Sequence, residues 1–148
     1  MTQIVLQTCA TVDEAITLLH KVHVWHPDEG IHWLIADATG KSAVVEWMPG
    51  DLQLYVYDRE GPYKLMTNTA CQEGEAYLTE NCPRYRRAKP LLERGVNSLD
   101  DMLKVMESMR VTKGPGRSLW TSVMDLQDRT IEVRYFKEFD KKYEFKFQ

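Results

Sequence analysis

An α+β domain of mainly antiparallel strands is the architecture this sequence predicts, on three observations. A capped apolar stripe stands near the N-terminus, a run of short segments rich in Ile, Val and Trp is broken by Gly and Pro turns, and two helical stretches lead into a second β region. The implied order is helix, four strands, two helices, then two or three strands. No internal repeat, low-complexity tract or linker interrupts it, so residues 1–148 are expected to form one domain.

The first helix is announced by Thr11-Val-Asp-Glu14, a capping box in which Thr11 accepts from the Glu14 backbone and Glu14 reaches back. Val12, Ala15, Ile16, Leu19 and Val22 then recur at helical spacing, and Pro27–Gly30 closes the unit. Ile31–Asp37 and Ser42–Met48 read as a hairpin around Thr39-Gly40, with Leu52–Tyr57 as a third strand and Tyr63–Thr67 as a short fourth. Ile31–Ile35 is apolar at almost every position, which predicts cover on both faces. Asn81-Cys82-Pro83 opens a helix with proline in its first turn, and Pro90 is expected to kink or shorten it. Ser98 caps Leu99–Met109, whose stripe is Leu99, Met102, Leu103 and Met106. Thr112–Gly116 is a loop. Ser118–Leu126, Ile131–Phe136 and Tyr143–Phe147 are the closing strands.

Composition excludes several classes. With 43% hydrophobic and 28% charged residues the chain has ordinary globular usage. A formal charge of −3 offers no broad attraction to nucleic acid or to an anionic membrane. No apolar run is long enough to span a bilayer, and Met1–Thr8 lacks the basic and apolar regions of a signal peptide. Three cysteines at irregular spacing (Cys9, Cys71, Cys82) argue against a disulfide framework, so the expected location is the cytoplasm. Trp25, Trp33, Trp47 and Trp120 are scattered over different elements and read as core and interface, not as a stacking platform for bases.

His20, His23 and His26, with Asp28 and Glu29, are the one cluster with metal-ligand character. Histidines are also favourable at a helix C-terminus, and the preferred reading is a polar helix end running into a loop. No metal and no cofactor is expected.

His32–Glu46, followed by Lys64-Leu-Met-Thr-Asn68, resembles the conjugated bile acid hydrolases and penicillin V acylases, a family of N-terminal-nucleophile (Ntn) hydrolases acting on linear amides. Cys9–Ala15 is similar to the helix before the second half of that fold, and His32–Glu46 to the hairpin after it. Met66-Thr-Asn68 resembles the strand end carrying the active-site asparagine, and Trp120–Leu126 with Thr130–Tyr135 resembles the closing hairpin. Pro83–Ala88 is similar to an "SRF-x-R" segment that supplies an arginine, which puts Arg84 on that position. Pro83 replaces the usual small polar residue, so Arg86 and Arg87 stay open as counterparts.

The resemblance implies the second half of an α/β/β/α sandwich. It also implies a chemistry: an N-terminal cysteine, with its own α-amine as base, attacks the amide carbonyl, and side-chain amides hold the developing anion. Asn68 would be such a donor, and Arg84 would lower the thiol pKa or orient the substrate. Cys9 becomes N-terminal only by cleavage after Thr8 and then precedes a capped helix, so it reads as core packing. Cys71 and Cys82 have no free amine and would need a histidine base, for which His32 is the candidate near the sheet.

The expectation is therefore a C-terminal part of a linear amide hydrolase, inactive alone, that takes a small-molecule amide when complemented by a nucleophile-bearing segment. The alternative is a non-catalytic binding or self-associating module. A half fold would leave the face of Trp33, Ile35, Val45 and Trp47 bare, which predicts a homo-oligomer or a partner chain.

Overall fold

A computed structural model describes residues 1–24, 30–58, 60–135 and 138–147. The fold is α+β, with five α-helices and two antiparallel three-stranded sheets among these residues. The chain forms two compact units, Met1–Leu78 and Thr79–Gln148.

The first unit opens with α1 (Thr2–Thr8) and α2 (Val12–Leu19). The capping box at Thr11 and Glu14 forms in full. Strands β1 (Ile31–Ala36), β2 (Ser42–Trp47) and β3 (Leu54–Tyr57) pair antiparallel with β2 in the centre. The β1–β2 connection turns at Gly40, whose φ of 89° is a conformation that L side chains rarely adopt.

Register assigns the faces. Trp33 lies opposite Val45, Ile31 opposite Trp47, and Val56 and Leu54 continue the same rows on β3. Val5, Ala15 and Leu19 of α1 and α2 pack on this face with Val45 and Trp47, and Trp33, Ile35, Leu54 and Val56 surround them. The expectation of a bare Trp33–Ile35–Val45–Trp47 face is therefore corrected: two helices cover it, and Val45 and Trp47 are buried. Two-sided cover also belongs to β2 and not to β1, an edge strand whose Leu34 is 41% exposed.

Asp37, at the end of β1, ties the hairpin to α2. Its carboxylate accepts from the Val12 N–H at 2.9 Å, the first N–H of the helix, and from the Thr39 N–H and hydroxyl. These bonds, Thr39 first and Val12 next, hold its pKa below the ordinary carboxylate value. A lowered native pKa adds stability that is complete above the unfolded value, about pH 4, and is lost as pH falls through the native value. Asp37→Asn is expected to cost about 1–3 kcal/mol at pH 7. In urea titrations the difference from the unaltered chain should shrink as pH falls below about 4 and through the lowered native pKa of Asp37.

Tyr63–Thr67 is not a strand. The segment follows Pro62, which has no N–H to give to a ladder, and it runs past the sheet without regular pairing. A 3₁₀ turn, Cys71–Glu73, then leads into α3 (Gly74–Asn81). Neither α1 nor α3 has a sequence signal of the strength seen at Thr11. α1 is rich in β-branched residues and buries only Val5, and α3 buries only Leu78.

In the second unit, α4 (Pro83–Glu93) starts with proline in its first turn, as expected. It continues through Pro90, because Tyr85, Ala88 and Leu92 make one buried stripe spanning the proline. Helix α5 (Leu99–Ser108) is capped by Ser98, whose hydroxyl accepts from the Asp101 N–H at 3.1 Å. Its buried residues are Leu103 and Val105, while Leu99 is exposed, so the stripe is rotated from the expected one. Strands β4 (Trp120–Asp125), β5 (Thr130–Tyr135) and β6 (Glu138–Lys146) form the second sheet in that order. β6 begins earlier than its apolar residues indicate, and its register with β5 shifts between Val133 and Tyr135.

This second sheet alternates in an unusual sense. Thr121, Val123 and Glu132 are buried on the face that includes the Glu132–Arg134 ion pair. Trp120, Met124, Tyr135, Tyr143 and Phe145 point to the other side, each more than 40% exposed.

Candidate functional site

The face of the first sheet opposite α1 and α2 carries its chemistry. Glu46 sits in the centre of β2, across from His32 on β1 and Tyr55 on β3, and is 1% exposed. A buried carboxylate is costly unless its oxygens are filled with donors, and those of Glu46 are. His32 Nδ1 lies 3.2 Å from Oε1. The Cys71 N–H donates to Oε1 at 2.7 Å and the Gln72 N–H to Oε2 at 3.2 Å. The Tyr57 hydroxyl and the Cys71 thiol feel the charge of the same carboxylate.

Glu46 therefore receives the first N–H groups of the Cys71–Glu73 turn, as an N-cap side chain would, but from a different element. Burial and the Glu46 charge push the Tyr57 hydroxyl up to about 12, and the same two causes push the Cys71 thiol up to about 12. The thiol is then protonated at pH 7. Cys71 is the opposite of an activated nucleophile, although His32 and Glu46 are its neighbours. Modification of native Cys71 by a thiol reagent is expected to be far slower than that of a free thiol at pH 8, measured by peptide mass spectrometry. Cys82 is buried at the start of α4, and Cys9 packs against the core of the first unit.

Asn68 lies three residues before Cys71 in the same segment. Thr67 beside it is buried, whereas Asn68 is exposed and its side chain has no hydrogen-bond partner among the described residues. Its amide is free to donate to something outside the chain. Arg84 is half-buried in the first turn of α4, in the other unit. Of the three candidate arginines, Arg87 donates to the Ser108 carbonyl at 2.6 Å and Arg86 to the Glu80 carbonyl at 3.3 Å. Arg84 makes neither an ion pair nor a side-chain hydrogen bond among the described residues.

Within the histidine cluster, His23 Nδ1 is 3.1 Å from the Leu52 carbonyl, while His26, Asp28 and Glu29 lie outside the described residues. No helix among the described residues is long and apolar enough to cross a membrane.

Glu46 is the site residue to which sequence reasoning assigns no role. A signal for it exists: one carboxylate inside Ala43-Val-Val-Glu-Trp47, a strand apolar on both sides of it.

The chain matches a family model described as linear amide C–N hydrolases, choloylglycine hydrolase family, over residues 1–91. Asn68, Arg84, Glu46 and all three cysteines lie within the matched residues, while β4, β5 and β6 lie outside them. No curated protein matches the chain.

Proposed function

Because the chain belongs to the choloylglycine hydrolase family of linear amide C–N hydrolases, we propose that it supplies the oxyanion side of an amide-cleaving site of the N-terminal-nucleophile type. Asn68 donates its side-chain amide to the oxygen that becomes negative as the tetrahedral intermediate forms. Arg84 orients the substrate or stabilises the thiolate, since Arg86 and Arg87 are already committed to main-chain carbonyls. The nucleophile, a cysteine with a free α-amine, comes from a segment outside these 148 residues. The substrate class is a small-molecule amide: a bile-acid conjugate, a penicillin V-type side chain or another N-acyl amide.

The observation that carries this reading is Asn68 itself, exposed and unpartnered among the described residues, beside buried Thr67 and three residues before the hydrogen-bonded Cys71 N–H, inside the residues that match the family. The purified chain alone should release no amine from a panel of such amides above the uncatalysed rate. Release that is abolished by alkylating a cysteine of this chain would sink the proposal.

A second reading, a self-associating module, is favoured by the outer face of the second sheet. Trp120, Met124, Tyr135, Tyr143 and Phe145 form an apolar surface of a kind soluble monomers seldom leave open. Light scattering coupled to size exclusion is expected to give a dimer at micromolar concentration, and Trp120→Ser with Phe145→Ser a monomer. A clean monomer for the unaltered chain would contradict this reading.

A further inference from the structure

We propose that Glu46 is a positioning residue for Asn68: its buried carboxylate fixes the segment that presents the asparagine side chain. The inference rests on the assignment of Asn68 made above and deepens it.

A carboxylate in the middle of a central strand is an unfavourable way to fill that position. Neighbouring strand residues Ala43, Val44, Val45 and Trp47 are all buried and apolar. What Glu46 provides, and no apolar residue would, is two acceptor oxygens pointing at consecutive main-chain N–H groups of Cys71 and Gln72. Those two bonds cross 25 and 26 residues of sequence, so they join the sheet to a segment that has no ladder of its own. The Nδ1 of His32, 3.2 Å from Oε1, holds the carboxylate from the sheet side.

Asn68 has no side-chain partner among the described residues, so its orientation is inherited from its backbone. That backbone is held by buried Thr67 on one side and by the Glu46 anchor three residues later on the other. An oxyanion donor must be placed closely, because a shift of about 1 Å at a reacting centre can cost roughly 10²-fold in rate. Glutamine at position 46 keeps the shape but turns one oxygen into an NH₂ group, so one of the two N–H groups then faces a donor.

Amide hydrogen exchange measured by NMR tests the anchor without any need for activity. In the unaltered chain the Cys71 and Gln72 amides should be at least tenfold more protected than that of Thr69. In Glu46→Gln they should exchange at least tenfold faster and shift upfield, with the Trp33 and Val45 amides unchanged. Exchange at Cys71 and Gln72 as fast as at Thr69 in the unaltered chain would overturn the proposal, even if Glu46→Gln did not fold. So would unchanged amides in a folded variant.

The second readout is kinetic. In enzyme assembled with a nucleophile-bearing segment, Glu46→Gln should lower kcat at least tenfold and leave KM within twofold. An unchanged kcat would overturn the positioning role. If assembly yields no amide hydrolysis at all, the assignment of Asn68 fails, while the anchor is still decided by the amides.

Discussion

Replacing Asn68 by alanine is expected to reduce the kcat of the assembled amidase by about 10²–10³, equivalent to about 2.7–4 kcal/mol of transition-state stabilisation. The size follows from where the donor acts. An amide aimed at developing negative charge is worth more in the transition state than in the bound substrate, so the loss falls on kcat and not on KM. Because Asn68 is exposed and unpartnered among the described residues, its truncation should leave the unfolding midpoint almost unmoved. Asn68→Asp, which is acceptor-only when ionised, should be at least as damaging as alanine. A kcat within threefold of the unaltered enzyme for Asn68→Ala would remove Asn68 from the site.

The largest effect on stability is expected at Trp47. It is 1% exposed, meets Trp33 edge-on with ring centroids 5.4 Å apart, and lies in the core with Val5, Ala15, Leu19 and Val45. Trp47→Ala removes the largest fully buried side chain among the described residues. The lost transfer free energy and the cavity together should cost about 3–5 kcal/mol, a large part of the stability of a small unit. The indole N–H has no acceptor among the described residues, so phenylalanine, which keeps most of the ring and removes that orphaned donor, should cost much less. Urea unfolding followed by far-ultraviolet circular dichroism measures both. Equal losses for the two variants would contradict the cavity argument.

The parts of the fold that can be read from the sequence are those with strong local chemistry. Thr11 and Glu14 cap a helix by side chains three residues apart, Gly40 turns a hairpin with a backbone only glycine adopts freely, and Pro83 and Ser98 mark helix starts. What cannot be read depends on tertiary contacts. α1 looks like a β-branched strand and is helical where Val5 meets the core. The sheet face of Trp33 and Trp47 is covered by helices whose docking no local pattern encodes.

The candidate site divides the same way. Asn68 and Arg84 are proposed from short motifs resembling a family, and the match over residues 1–91 shows that family. Glu46 escapes a linear reading because its partners are main-chain N–H groups 25 and 26 residues away. Cys71 shows the converse. A cysteine near a histidine suggests catalysis, yet burial beside a carboxylate keeps its thiol protonated.

Assembly of the complete site tests the role of Asn68 most directly. The chain is combined with a segment that opens on cysteine, and amine release from linear amides is followed. Hydrolysis is expected from the mixture and none from either part alone, with a loss of about 10²–10³ when the chain carries Asn68→Ala. Equal hydrolysis by mixtures made with the unaltered chain and with the Asn68→Ala variant would contradict it.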